Sequence, residues 1–341
     1  MTTRRRIALI GLGMGATPHA QSLVDLSHRV EVVAACTRSA ERAEAFGARF
    51  AFPLRRDIDA VIADPGVDCV LIATPPGSHL ELAERCAAAG KHVLLEKPVE
   101  LSLPRAEALV AACEHAGVRL GVVFQHRFRP GALRLKALLA EGVLGSIAAA
   151  NVYVPWWRPQ SYYDVPGRGT LVRDGGGVLI TQAIHQLDLF LSLADAVAEV
   201  SAFAGTTALH QMETEDMVAA ALRFSTGAIG SLMATTAAFP GFGERMELMG
   251  TRGTAMLVDG ALEAHLHDGS VVRAGNSGGG GADPMAFSND AHRAVLAEFL
   301  DAIEAGREPV NSGRAALKVH RLIEALMTSS RERRPVGIAQ A

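Results

Sequence analysis

Gly11-Leu12-Gly13-Met14-Gly15-Ala16 follows the apolar run Ile7-Ala8-Leu9-Ile10, and the reading of the whole chain turns on that junction. The pattern is G-x-G-x-x-A, where a short buried strand ends and a helix begins. Gly11 permits a tight turn, Gly13 lets backbone approach a pyrophosphate, and Ala16 lets helix and strand pack closely. The first N–H groups of the helix, with their positive potential, complete a cradle for phosphate oxygens. Such a motif alone is weak evidence; in the first turn of an alternating strand–helix chain it points to a dinucleotide site.

That alternation runs to about residue 124. Strands are expected at Ile7–Ile10, Val30–Ala35, Val67–Ala73, His92–Leu95 and Leu120–Phe124. Helices are expected between them, at about Pro18–Leu26, Ala40–Phe46, Asp57–Ala63, His79–Ala89 and Leu103–His115. Continuous apolar strands alternating with helices are what a parallel sheet covered on both faces demands. Gly90, Gly117 and Gly121 stand where helices end and strands begin.

After residue 125 the texture changes. A helix at Gly131–Leu139 and a helical stretch around Leu179–Leu193 precede a β-rich run: Glu199–Phe203, Met217–Phe224, Ala228–Thr235, Arg245–Met249, Thr254–Val258 and Ala261–His267. Tight turns such as Ser225-Thr226-Gly227 and Asp268-Gly269 join these pieces without helices, which argues an antiparallel sheet. Gly275–Gly281 reads as a flexible glycine-rich loop, and helices at about His292–Glu304 and Ala315–Ser329 close the chain. The expected fold class is therefore α/β: a Rossmann domain over 1–124, and over 125–341 an α/β domain with a large, mostly antiparallel open-faced sheet.

Composition agrees with a folded globular protein. Of 341 residues, 49% are hydrophobic and 20% charged, and 33 basic against 36 acidic residues give a net charge of −3. There is no basic excess to suggest nucleic acid. No apolar run approaches the ~18–20 residues of a membrane span, and Arg4-Arg5-Arg6 leads into a buried strand rather than a secretory leader. Cys36, Cys69, Cys86 and Cys113 show no paired spacing, so reduced buried thiols and a cytoplasmic location are expected, with neither disulfides nor a metal site.

The second strand ends in Thr37 and Arg38, where an NAD site usually carries an acid for the ribose 2′-hydroxyl. A hydroxyl and a guanidinium suit a 2′-phosphate, which favours NADP over NAD. Further on, Lys97 in Glu96-Lys97-Pro98 ends a parallel strand, where open sheets bind ligands. A lysine desolvated there can exchange protons near neutrality.

These residues resemble the Gfo/Idh/MocA family of dehydrogenases. The resemblance covers nearly the whole chain and rests on Gly11–Ala16, on Ala73-Thr74-Pro75-Pro76 with His79, on Gly90-Lys91-His92-Val93-Leu94-Leu95-Glu96-Lys97-Pro98, and on Gly175-Gly176-Gly177 leading to His185 and Asp188. It implies that Lys97 and His185 are catalytic, facing a substrate hydroxyl. It also implies that Gly11, Gly13, Met14, Ala16, Thr37, Arg38, Ala73, Thr74, Pro75, His79, Glu96 and Lys97 serve the cofactor. Several inositol and sugar dehydrogenases of the family carry Asp four residues before the histidine; Thr181 stands there and cannot act as a carboxylate. The nucleotide-sugar branch uses an uncharged polar residue at that place.

Thr181 and Asp188 are expected on the helical face of His185, with Asp188 an anchor rather than a reactant. Trp156, Trp157, Arg158, Tyr162, Tyr163, Arg168 and Asp174 crowd into one segment, where aromatic faces can stack on sugar C–H surfaces and polar ends can bond hydroxyls. Arg127 is expected near the nicotinamide end. The implied reaction is hydride transfer between nicotinamide and a secondary alcohol carbon of a sugar, inositol or sugar derivative, in a homodimer or homotetramer. Two alternatives stay open: a glycosidase using bound NAD(P) for transient oxidation, and a non-catalytic sugar-sensing protein.

Overall fold

Ile7–Ile10 are wholly buried at the centre of a six-stranded parallel sheet, as a strand covered on both faces must be. The computed structural model describes residues 4–276 and 288–339, in two units. The first contains β1 (Arg5–Ile10), β2 (Val30–Cys36), β3 (Leu54–Arg55), β4 (Cys69–Ile72), β5 (His92–Leu95) and β6 (Leu120–Val122). Their order is β3-β2-β1-β4-β5-β6, so the connections reverse direction between β1 and β4. That reversal opens a crevice beyond the carboxyl ends of those strands, where ligands of open α/β sheets bind. Helices α1 (Ala16–Asp25), α2 (Ala40–Gly47), α3 (Ile58–Ala63), α4 (His79–Ala88) and α5 (Leu103–His115) make the crossovers.

The expected strands and helices of this half are all present, and β3 is added. It has only two residues, both exposed, too short to leave a hydrophobic pattern. Gly90 and Gly117 end their helices at positive φ, whereas Gly121 lies inside β6. A β-carbon on Gly121 would come within 2.9 Å of the Phe299 ring, so glycine there admits a neighbour rather than a turn.

That neighbour belongs to a distant part of the chain. Residues 288–317 lie with the first unit, although the sequence reading assigns everything after 124 to the second domain. They carry α11 (Asp290–Glu304) and the start of α12 (Gly313–Glu332). Backbone N–H of Val122 donates to Asn311 O at 2.8 Å, and the Asn311 side-chain amide donates back to Val122 O at 2.8 Å. Asn311 thereby satisfies the outer edge of β6, which would otherwise lack a partner.

The second unit is built on a nine-stranded sheet. Its strands are β7 (Ile147–Pro155), β8 (Val197–Gly205), β9 (Met217–Phe224), β10 (Ile229–Thr235), β11 (Arg245–Gly250), β12 (Gly253–Val258), β13 (Ala261–Leu266), β14 (Val271–Ala274) and β15 (Val336–Gly337). The order is β14-β13-β12-β11-β7-β10-β9-β8-β15, antiparallel throughout except for the parallel pair β7–β10. The sequence reading lacks β7, the central strand, because Ala148-Ala149-Ala150-Asn151 carries no strand preference. α6 (Pro130–Ala140) and α10 (Ile184–Leu193) cover one face, with one-turn helices α7 (Gln160–Tyr163), α8 (Leu171–Asp174) and α9 (Val178–Thr181) between β7 and α10. Most of the glycine-rich loop expected at 275–281 falls outside the described residues.

Candidate functional site

In the first unit the dinucleotide motif has the shape its residues require. Gly11 follows β1 with φ +99°, and a β-carbon there would lie 2.5 Å from Ala73 O. Glycine is thus needed both for the backbone angle and for the close approach of the loop after β4. A β-carbon on Gly13 would meet nothing within 4 Å, and Met14 is 75% exposed, so the surface above the α1 N-terminus stands open. Ala16 is fully buried beneath it. Small residues below and free space above fit a pyrophosphate on the helix N-terminus.

Around that cradle lie the other expected cofactor residues. Ala73 N donates to Ile10 O at 2.7 Å, which places Ala73, Thr74 and Pro75 beyond the end of β4. Thr37 is buried and Arg38 exposed just past β2. His79 departs from expectation. It is fully buried, with Nε2 2.9 Å from Thr74 O and Nδ1 3.1 Å from Pro98 O, so it ties the loop after β4 to the loop after β5 from within. Burial pushes its pKa down, against the pull of those carbonyls.

Glu96 and Lys97 leave the carboxyl end of β5, both half-buried. Glu96 Oε1 accepts from His19 Nε2 at 2.6 Å, and Oε2 accepts the backbone N–H of Lys97 at 3.0 Å. Burial would raise the Glu96 pKa; the His19 hydrogen bond and the positive potential of His19, His292 and Lys97 hold it down at about 2. Burial pushes the Lys97 ammonium below the ordinary lysine value, and Glu96 opposes that shift. A lysine so placed can release and take up a proton near neutral pH more readily than a solvated one.

In the second unit the helical stretch around 179–193 breaks in two. Thr181 ends α9, Gln182 and Ala183 form the joint, and His185 lies in the first turn of α10. Thr181 and His185 therefore do not share a continuous helical face, contrary to the sequence reading. The turn that opens α9 is set by Gly177 and Glu215. Backbone N–H groups of Gly177 and Leu179 donate to the Glu215 carboxylate at 2.9 and 3.2 Å, and that of Val178 to its carbonyl at 2.8 Å. A methyl group on Gly177 would overlap that carbonyl.

His185 is half-exposed and stacks on His126, ring centroids 4.9 Å apart at 28°. His126 Nδ1 faces Gln186 Nε2 at 3.1 Å and its Nε2 faces Arg129 at 2.8 Å. Both Gln186 and Arg129 donate to Glu244 Oε1, at 2.5 and 3.0 Å. His185 thus stands on a buried polar platform that sequence reasoning missed, because its members come from three separated segments. Arg127, expected near the nicotinamide, instead grips the buried Asp188 with its fork.

The aromatic segment divides by burial. Tyr163 is buried, its hydroxyl 2.7 Å from Thr236 Oγ1, and burial raises its pKa to about 12. Arg158 is buried too, donating to Trp157 O at 2.8 Å. Asp174 accepts the N–H of Gly169 at 2.7 Å and so folds its own loop. Trp157, Tyr162, Arg168 and Thr181 keep partial exposure. The Arg168 guanidinium lies 4.0 Å over the Tyr162 ring. Gln182, absent from the sequence reading, donates to Tyr162 Oη at 3.5 Å and pairs with Thr181 Oγ1.

Comparison with known proteins agrees with this geometry. Residues 5–124 match the model of the Gfo/Idh/MocA oxidoreductase family's NAD-binding Rossmann fold, and residues 132–256 match the model of the Gfo/Idh/MocA C-terminal domain. D-apiose dehydrogenase of Paraburkholderia graminis is 31% identical over 99% of this chain and 91% of its own. Myo-inositol 2-dehydrogenase of Thermotoga maritima is 27% identical over 98% of this chain and 99% of its own. The WlbA dehydrogenase of Bordetella pertussis, solved with NADH and UDP-GlcNAcA, superposes with a TM-score of 0.85 at 28% identity, over 99% of this chain and 100% of that one. With a nucleotide cradle at the sheet's reversal and a lysine at the end of β5, the chain belongs to the Gfo/Idh/MocA family of NAD-binding oxidoreductases.

Proposed function

We propose that the protein is an NAD(P)-dependent dehydrogenase of a sugar, inositol or sugar derivative. The observation that carries the reading is Lys97 at the carboxyl end of β5, its ammonium disfavoured by burial, on the same sheet edge as the Gly11 cradle. The named activities of the D-apiose and myo-inositol dehydrogenases support the substrate class.

The nicotinamide cofactor, when bound, accepts or returns the hydride of the alcohol carbon. Lys97 in its neutral form takes the hydroxyl proton as the C–O bond gains double-bond character, and gives it back in the reverse direction. His185, held against His126, orients the same hydroxyl. Trp157, Tyr162 and Arg168 supply stacking and hydrogen bonds to the sugar, while Tyr163, Arg158 and Asp174 shape the segment from beneath.

NADP is proposed as the preferred cofactor, because no acid follows β2 and Arg38 stands exposed there. Phe203, Ile229 and Met249, exposed on the outward face of the nine-stranded sheet, support a dimer or tetramer closed through that face. Light scattering on wild type and Ile229→Glu tests the oligomer. The function is tested by NADP and NAD reduction across inositols, aldoses, sugar acids and nucleotide sugars, with Lys97→Ala beside wild type. Reduction by wild type and its loss in the variant are expected; an active Lys97→Ala enzyme would overturn the assignment.

A further inference from the structure

Three residues from distant parts of the chain meet behind the reactive lysine. His19 of α1, Glu96 and His292 of α11 each bring a ring nitrogen or carboxylate oxygen within 4.8 Å of the others. Such a set invites a metal, but the 2.6 Å between His19 Nε2 and Glu96 Oε1 is a hydrogen bond. Two ligands of one tetrahedral zinc stand about 3.4 Å apart. The cluster is a hydrogen-bonded and electrostatic unit.

Its parts are firmly placed. His19 and His292 are nearly fully buried and meet edge to face, centroids 5.2 Å apart at 82°. The Asn289 side-chain amide donates to Asp25 Oδ2 at 2.8 Å, docking the start of α11 on α1. Among the described residues of the first unit, the titratable groups acting on Glu96 are His19, His292 and Lys97, and Glu96 in turn acts on His79 of α4.

We propose that His292, with His19, is a positioning residue for Lys97: His19 holds Glu96 by its hydrogen bond, His292 packs against His19 within reach of the same carboxylate, and the two rings share its negative charge, leaving Lys97 freer to lose its proton. The inference rests on the reading of Lys97 as the proton carrier. A carboxylate beside a half-buried lysine favours the ammonium and so works against a base. Imidazoles on the far side of that carboxylate draw its charge away from the lysine. Removing the carboxylate and removing a ring must then shift Lys97 in opposite directions, which a packing role for His292 would not do.

The test reads Lys97 directly, without a turnover substrate. The full-length protein is treated with an amine-selective acylating reagent across a pH series, and modification of the Lys97 peptide is followed by mass spectrometry. His292→Phe keeps the ring shape and loses the nitrogens; the labelling midpoint is expected to rise by roughly 0.5–1 pH unit. Glu96→Gln is expected to lower it by a similar amount. Should His292→Phe not fold, His19→Phe, which removes the hydrogen bond to Glu96, takes its place with the same expected rise. An unmoved midpoint in the ring variant, or one moving with Glu96→Gln, overturns the proposal. Midpoints that shift as expected in a protein oxidising no polyol would instead overturn the dehydrogenase reading and leave this relationship standing.

Discussion

Arg127 holds Asp188 through two parallel hydrogen bonds, Nε to Oδ2 and Nη2 to Oδ1, each 2.6 Å long. The Asp188 side chain is 1% exposed and the Arg127 side chain 13%. Burial raises the Asp188 pKa, and Arg127 counters that pull. The pair fixes α10 to the residues that open the second unit, and so fixes the base of His185.

Breaking such a pair from one side leaves a buried charge without compensation. Arg127→Ala should therefore destabilise the protein by about 3 kcal/mol or more, and Asp188→Asn by less, because the amide oxygen still accepts from Arg127 and the guanidinium left behind is 13% exposed against 1% for Asp188. Denaturant midpoints compare them directly. Equal small losses from both variants would mean that the pair adds little to stability.

Gly177→Ala is expected to act at a distance from any reacting atom. Its methyl meets the Glu215 carbonyl that receives Val178 N–H, so the turn into α9 must shift. A stability loss of about 2 kcal/mol is expected, together with a raised KM, since Thr181 and Gln182 ride on that turn. An unchanged melting temperature and KM would show that the loop yields freely.

Much of this was legible in the sequence. The strand–helix alternation, the Gly11 turn and the strand-end Lys97 each follow from local patterns of about six residues, and the structure places all three where those patterns put them. What was not legible depends on long-range pairing. Glu244 serves Gln186, Arg129 and Trp156, none near it in sequence. His292 sits on an amphipathic helix whose pattern says which residues are buried but not against which sheet. The family resemblance puts His79 and Arg127 near ligand, and neither residue's local sequence reveals the buried polar partners that the structure gives them.

The pH dependence of catalysis follows from Lys97. Burial lowers its pKa, so the neutral amine appears at lower pH than the ~10.4 of a free lysine. Alcohol oxidation, which needs the neutral amine, should rise with pH and level off above that lowered pKa. Carbonyl reduction, which needs the ammonium, should fall through the same range. Initial rates in both directions check this, and profiles that rise together would exclude Lys97 as the shared proton carrier.

Cofactor choice is tested at Arg38. Arg38→Ala should weaken NADP about tenfold, as loss of one charge-assisted contact predicts, and leave NAD within about twofold. A variant that loses both cofactors equally, or neither, would remove the basis for an NADP preference.

The Asn311 clasp on β6 has a consequence for how the molecule is made. When residue 125 leaves the ribosome, every parallel strand of the nucleotide-binding half exists, yet α11 and the Asn311 edge do not. Val122 is without its partner on that side, Gly121 faces no Phe299, and His19 lacks the ring it will meet. The half that is begun first is thus completed only after the second unit's sheet has been made, and a ribosome-bound N-terminal fragment would be a sheet with one raw edge awaiting a segment 189 residues further along its own chain.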